Sequence, residues 1–137
     1  GQRTLSHAFL ATRAALLTGR NSHSVHMGLF PNSGAIGTPG YDGYMPFEKA
    51  TVAEILRENG YNTYHVGKWH LTPPAESTPA GPFNRWPTGR GFDHSYGFHS
   101  GSTDQYHPQI WEDNNKIDVE PNNKHFNTLI TDKAIKY

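Results

Sequence analysis

A lysine and a histidine stand two residues apart in the segment GKWHL, residues 67–71, directly after a run typical of a β-strand. In extended backbone, residues i and i+2 face the same way, so Lys68 and His70 are expected to project to one side beyond the strand. Ligands of α/β folds bind at this carboxyl edge. The pair would form a small cationic site suited to sulfate, phosphate or carboxylate. The alternative is a solvated lysine beside a histidine packed against Trp69.

A second stretch with possible chemistry is ATRAALLTGR, residues 11–20. If Thr12 begins a helix, the free backbone N–H groups there favour an anion. Arg13 would then lie in the first turn, where a cation opposes the helix dipole unless it faces a bound anion. The alternative is an ordinary amphipathic turn with Leu16 and Leu17 in the core. Both interpretations place the two leucines in the core.

Three elements must position these residues. Residues 12–18 are predicted to form a short helix that Gly19 ends. A second helix is predicted from Thr51, where Glu54 completes a capping box, to residues 59–60. Its predicted apolar stripe consists of Val52, Ile55 and Leu56. Residues 61–66 alternate and are rich in β-formers, so they are predicted to form a strand.

The rest of the chain contains many turn signals. Residues 21–46 are expected to be irregular and residues 72–108 to form long loops. A hairpin is predicted over residues 109–119 and an amphipathic helix over residues 125–137. The expected fold is α/β, a partial sheet with flanking helices and long loops. Because no convincing domain boundary interrupts it, residues 1–137 are expected to form a single domain.

Composition excludes several classes of function. Twelve Lys and Arg balance twelve Asp and Glu, so the chain lacks the basic field of a nucleic-acid-binding protein. The chain contains no run of about eighteen apolar residues, so no membrane span is predicted. There is no cysteine, which excludes disulfides, thiolate metal sites and a cysteine nucleophile. A hydrophobic fraction of 34% with 14 glycines and 10 prolines predicts a loop-rich chain with a thin core.

Nine histidines raise the question of a metal site. His23 and His26 are three residues apart, and His94 and His99 flank a glycine-containing segment. Neither pair is a recognised zinc spacing with a third ligand, so support of the fold is the better account. An aromatic group is expected to pack loops or to line a substrate mouth: Trp86, Phe92, Tyr96 and Phe98.

Three segments in order resemble a known family. TRAALLTGRNSH, residues 12–23, is similar to the signature of the type I sulfatases (arylsulfatases), Cys-x-Pro-Ser/Thr-Arg followed by Ala-Ala-Leu-Leu-Thr-Gly-Arg. GYNTYHVGKWHL, residues 60–71, resembles their second signature. GPFNRWPTGRGFDHSYGF, residues 81–98, is also similar to family members. The resemblance covers nearly the whole chain.

The resemblance implies an alkaline-phosphatase-like α/β fold and hydrolysis of sulfate esters by a formylglycine made from the motif cysteine. Arg13 matches the arginine that steadies the nucleophile and the calcium-bound site. Lys68 matches the lysine that contacts the sulfate and the leaving oxygen. His70 matches the histidine that hydrogen-bonds the formylglycine. These matches agree with the anion site expected from spacing.

The chain departs from the family at the nucleophile. The cysteine position holds Phe9 and the proline position holds Ala11. Phenylalanine cannot become formylglycine and offers no nucleophile. Ser6 and His7 lie close by in sequence, but Ser6 is three residues out of register.

The resemblance also sets expectations for cofactors and partners. The family uses calcium, but its acidic ligands come from segments before and after this region, so none is evident here. The chain is therefore expected to be an N-terminal portion of a sulfatase-like catalytic domain. The expected ligand is a small sulfated or other anionic ester, with no nucleic acid or membrane partner. Open edges of a partial sheet favour homo-oligomers.

Three functions remain open from the sequence. The first is a sulfatase-like hydrolase of sulfate esters with an anion site formed by Arg13, Lys68 and His70. The second is a catalytically inactive sulfatase fragment or weak anion-binding module, which Phe9 favours. The third is a promiscuous ester or phosphate hydrolase that uses the cationic site and a water molecule.

Overall fold

A mixed four-stranded sheet organises the described part of the chain. The computed structural model describes residues 3–29, 37–118 and 124–137, with side chains of the first helix from Phe9 onward. In chain order the elements are α1 (Arg3–Thr18), α2 (Val52–Glu58), β1 (Tyr64–Lys68), β2 (His94–Phe98), β3 (Ile110–Glu112), β4 (Asn115–Ile117) and α3 (Phe126–Lys136). Short 3-10 helices cover Ser22–Val25, Pro74–Glu76 and Thr88–Arg90. The α/β class expected from the sequence is confirmed.

The strands are ordered β1-β2-β3-β4, with β1 parallel to β2 and the other pairs antiparallel. Gly67 lies opposite Gly97, and a Cβ at Gly97 would lie 1.7 Å from the Gly67 oxygen. The pairing of β1 with β2 therefore requires a glycine at position 97. The parallel register places Lys68 opposite Phe98, so both strands end at the same edge.

Strand β2 lies inside the region predicted to be long loops, so that prediction is wrong for residues 94–98. Its sequence, HSYGF, is short and contains a glycine, which weakens a local strand signal. The predicted strand at residues 61–66 is present but begins at Tyr64 and continues to Lys68. The hairpin predicted over residues 109–119 is confirmed by β3 and β4.

Helix α1 is much longer than the predicted helix at residues 12–18. It has 16 residues and begins at Arg3, because residues 3–11 contain neither glycine nor proline to stop it. Gly19 ends the helix with φ +65, as predicted. Thr12 therefore lies in the helix interior, and the prediction that it begins the helix is wrong.

The buried face of α1 is also shifted from the predicted one. Leu10 and Ala14 are buried, and Leu17 packs against the same cluster. This is the i, i+4, i+7 spacing of one helix face. Leu16 is 78% exposed, so its predicted place in the core is wrong.

Helix α2 has the predicted capping box, because Thr51 Oγ1 accepts from Glu54 N and the Glu54 carboxylate accepts from Thr51 N. Asn59 ends it, also as predicted. Its predicted apolar stripe faces outward, however: Val52, Ile55 and Leu56 are exposed. Ala53 is the buried residue of α2, because the α2 backbone packs directly against Gly91. A Cβ added to Gly91 would lie 2.2 Å from Glu54 N.

Two apolar clusters form the core. The first lies between α1 and the end of β1 and contains Leu10, Ala14, Val25, Met27, Met45, Trp69 and Leu71. The second joins α3 to the sheet and contains Tyr96, Phe98, Ile110 and Phe126. The predicted last helix is confirmed as α3. Within the described ranges, no helix has the length and apolar character needed to cross a membrane.

Candidate functional site

Lys68 is the last residue of β1 and lies at the carboxyl edge of the parallel pair. Beyond it, Trp69 N donates to the Phe98 oxygen at 2.9 Å, which keeps the two chains together past the strand ends. The Lys68 ammonium donates to the carbonyl oxygen of Gly101, just beyond β2. The lysine therefore bends across the edge of the sheet and bridges the two strands.

Arg13 reaches the same edge from α1. Its Nη1 donates to the Lys68 carbonyl oxygen at 2.6 Å. Because α1 begins at Arg3, Arg13 is far from the first turn, and the predicted anion site at a helix N-terminus near Thr12 is wrong. The guanidinium is instead positioned by a contact between α1 and the end of β1.

His70 completes the group through a turn. It has φ +58, so the backbone leaves the extended conformation from which the same-side orientation of Lys68 and His70 was predicted. A Cβ on Gly101 would lie 3.1 Å from the His70 ring. Both side chains therefore meet at Gly101, while Trp69 between them is buried in the first cluster. Gly101 follows β2, the strand that the sequence did not predict. The contacts of Gly101 with Lys68 and His70 were therefore not predicted either.

The three side chains share a partly desolvated, positively charged environment. Burial, together with the charges of Lys68 and Arg13, lowers the pKa of His70 to about 4. Burial and the charge of Arg13 lower the Lys68 pKa, and burial lowers the Arg13 pKa. At neutral pH the positive charge is therefore carried by Arg13 and Lys68, and His70 is neutral. An anion between them would relieve the like-charge repulsion.

Phe9 lies beside this group. The Lys68 Nζ atom is 5.6 Å from the centroid of the Phe9 ring, and Phe9 is 58% exposed. Position 9 is thus an accessible point on α1 next to the charged edge. The side chains of Ser6 and His7, the other residues considered near the nucleophile position, lie outside the described ones.

Two further histidines lie behind the edge. His65 contacts Trp69 and Phe92 edge-on, and His99 lies 4.2 Å from the Trp86 ring. Burial lowers the pKa of both to about 4. His65 lies in β1, and its side chain is half-buried.

The comparison with protein families identifies the chain. The family model described as Sulfatase matches residues 10–137. The chain belongs to the sulfatase family. The match spans all three segments whose resemblance was noted in the sequence, and it places the charged edge within the matched region.

Curated relatives are also sulfatases. The chain is 33% identical over 99 residues to an arylsulfatase of Klebsiella aerogenes, covering 72% of this chain and 20% of that protein. It is 48% identical over 60 residues to human arylsulfatase A, covering 44% of this chain and 11% of that protein. The chain therefore spans a fifth or less of the length of these relatives.

Solved structures share the fold. The structure of Ps i-CgsB in complex with a neocarrahexaose matches with TM-score 0.70 and 22% identity, over 93% of this chain and 30% of that one. A protein in complex with its substrate D-glucosamine-2-N,6-O-disulfate matches with TM-score 0.59 and 28% identity, over 93% of this chain and 20% of that one.

Sulfatases are generally metal-dependent. Within the described ranges, no three His, Cys, Asp or Glu side chains form a group that could hold an ion. His26 pairs with Asp42 at 2.9 Å, and His23 lies 3.1 Å from the Asn21 side-chain oxygen. The calcium expected for the family has no fitting ligand set among these described residues.

Proposed function

We propose that this sulfatase chain binds the sulfuryl group of a sulfate ester at the carboxyl edge of β1 and β2, between Arg13, Lys68 and His70. The observation that carries the proposal is the convergence of these side chains around Lys68 and Gly101. Two cations of lowered pKa supply the charge, and neutral His70 supplies a directional hydrogen bond. Fixed positive groups of this kind stabilise the negative charge that develops on a departing ester oxygen.

Hydrolysis of the ester is the activity that family membership supports, and it needs a nucleophile. Phe9, which stands at the motif cysteine, cannot supply one. We therefore favour binding without turnover for the chain as its sequence stands. Hydrolysis of sulfate esters is the second candidate, favoured by the family match. Weak hydrolysis of other esters or phosphates by water at the same edge is the third.

The proposed ligand is a small sulfated ester. One line of support is chemical, because the charged edge fits a compact anion. The other is comparative, because a protein of 28% identity was solved in complex with a disulfated glucosamine as its substrate. We also propose that residues 1–137 are a single domain and form the N-terminal portion of a sulfatase-like catalytic domain. The family match over residues 10–137 and the continuous sheet support this.

Binding is tested by titrating the protein with a chromogenic aryl sulfate and following backbone amide shifts by NMR. Lys68→Ala should weaken binding about tenfold or more, because a charge-assisted hydrogen bond contributes about 1.5–3 kcal/mol. Lys116→Ala is the matched control, since Lys116 is exposed on β4. Equal affinities of Lys68→Ala and Lys116→Ala would contradict the proposed site.

Turnover is tested separately with the aryl sulfate, the matching phosphate and a carboxylic ester, each with and without calcium. No turnover of any ester, with sulfate binding retained, is the result expected from Phe9. Turnover that both Lys68→Ala and His70→Ala abolish would instead show that the edge is catalytic without formylglycine. Exposed His107 provides the control His107→Ala for the histidine variant.

A further inference from the structure

A concave site lies away from the charged edge. It is an open cleft of about 480 Å³ whose described lining consists of Phe47, Phe83, Asn84, Thr88, Gly89 and Asn114. This volume lies within the range of small-molecule sites, about 300–1,000 Å³. Arg13, Lys68 and His70 do not belong to this lining, so the cleft is not part of the proposed sulfate site.

The polar side of the cleft is fixed by a contact between distant parts of the chain. Thr88 Oγ1 donates to Asn114 Oδ1 at 2.6 Å, which ties the 3-10 helix Thr88–Arg90 to the turn between β3 and β4. Asn84 is exposed at the rim. Side-chain amides both donate and accept, so the two asparagines offer paired polar contacts to hydroxyl groups.

The floor of the cleft depends on a glycine. A Cβ on Gly89 would lie 2.4 Å from the Phe83 oxygen and 2.5 Å from the Asn84 oxygen. The backbone segments are therefore in direct contact. Glycine at position 89 therefore allows the 3-10 helix Thr88–Arg90 to pack directly against residues 83 and 84.

The aromatic side is held by neighbouring groups. Phe47 is 49% exposed, and the Arg85 guanidinium lies 4.5 Å from its ring centroid. Phe83 contacts Trp86 edge-on, with centroids 4.9 Å apart. Such rings offer apolar faces that a flat ligand can cover with little loss of side-chain freedom.

The described lining contains no ionisable side chain. The nearest guanidiniums are engaged, because Arg85 pairs with Glu76 at 2.8 Å and Arg90 lies 3.4 Å from Glu54. A free phosphate or sulfate would lose its hydration there without a facing cation. A sugar ring, with apolar C–H faces and a rim of hydroxyl groups, matches aromatic rings combined with amides and a hydroxyl.

We propose that this cleft binds an uncharged sugar ring. The proposal goes beyond the sulfate site and does not require that site to act. Ring contacts connect the two regions: Phe83 packs on Trp86, Trp86 packs on His99, and His99 precedes by two residues the Gly101 that contacts Lys68.

The test is an NMR titration of the chain with uncharged trisaccharides built of glucose, galactose, mannose or xylose. At least one should shift the backbone amides of Asn84, Gly89 and Asn114. Asn114→Ala should weaken that binding about fivefold, the effect of one lost hydrogen bond. Asn127→Ala, on the exposed side of α3, should leave it unchanged.

Asn84→Ala is the second variant, because Asn84 is exposed and its loss leaves the contact between Thr88 and Asn114 in place. It should also weaken binding while the spectrum elsewhere is retained. The proposal is overturned if no uncharged trisaccharide shifts the cleft, or if the shifts fall elsewhere. It is also overturned if only a sulfated trisaccharide binds, and then only at Lys68. Binding of a sulfated trisaccharide only at Lys68 would still support the proposed sulfate site. If Lys68→Ala retains binding of an uncharged trisaccharide at the cleft, that result supports the cleft independently of the sulfate site.

Discussion

At the scale of single residues, position 9 decides whether the chain has the cysteine of the family signature. Phe9 stands where the family signature has cysteine, and its ring lies 5.6 Å from the Lys68 ammonium. A nearby ammonium stabilises a thiolate and lowers a thiol pKa. Because the chain contains no cysteine, a thiol introduced there would be the only one to react.

We expect the thiol introduced by Phe9→Cys to have a lower pKa than the thiol introduced by Leu16→Cys. Leu16 is exposed on the same helix, so Leu16→Cys is the matched control. The measurement is the rate of alkylation by iodoacetamide as a function of pH. Adding Lys68→Ala to Phe9→Cys should raise the pKa. Equal pKa values for the thiols in the two single variants would show that position 9 does not experience the charged edge.

Buried His99 and half-buried His65 and His70 make stability depend on pH. Burial lowers the pKa values of His65, His70 and His99 from 6.5 to about 4 in the folded chain. Between those values the unfolded chain binds more protons than the folded chain. The free energy of unfolding should therefore fall as the pH is lowered from 6.5 towards about 4.

Urea unfolding at a series of pH values across that window measures this dependence. His99→Gln should give a shallower fall, because one of the titrating groups is removed. Exposed His107→Gln serves as the control for removing a histidine. A slope that His99→Gln does not alter would argue against a neutral, buried His99.

At the scale of elements, the helix predicted over residues 12–18 is part of the longer α1, and of its two predicted core residues Leu17 packs against the core whereas Leu16 is exposed. Leu10→Ala should reduce the free energy of unfolding by about 2–5 kcal/mol, because it empties a fully buried position. Leu16→Ala should change it by less than about 0.5 kcal/mol, since Leu16 is 78% exposed. Chemical denaturation of the two variants measures the difference. Equal losses would mean that the other face of α1 is buried.

At the scale of the whole molecule, several described apolar side chains are exposed and the described sheet has two outer strands. Leu16, Val52 and Ile55 are exposed, and β1 and β4 are the outer strands of the described sheet. Open edges tend to pair with other chains. The homo-oligomer expected from the sequence therefore stays a prediction that these surfaces support.

We expect the average mass of the protein to rise with concentration in analytical ultracentrifugation. Tyr64→Lys, which places a charge on outer strand β1, should reduce association, because edge lysines oppose strand pairing. Tyr106→Lys is the control, since Tyr106 is exposed in a loop outside the sheet. Ile55→Lys distinguishes association through α2 from association through the strand edge. A constant monomer mass at all concentrations would contradict the prediction.

Local signals in the sequence were sufficient for several elements. The capping box at Thr51 and Glu54, the turn at the β3–β4 hairpin and the amphipathic pattern of α3 are short-range features, and each was predicted. The same holds for family membership, because the three resembling segments are contiguous in sequence. The sequence also predicted the candidates for anion binding, Arg13, Lys68 and His70, which lie in residues 12–23 and 60–71.

The tertiary structure decided what these residues contact. Arg13 lies 55 positions from the Lys68 carbonyl that it binds, and Gly101 lies 33 positions from Lys68, so no local pattern encodes either contact. The buried faces of α1 and α2 depend likewise on what packs against them: Ala53 is buried because Gly91 admits the α2 backbone, and Leu16 is exposed because Leu10 and Ala14 face Trp69. The sequence by itself determined the chemistry available and the family, whereas packing determined which charges meet and which apolar residues are covered.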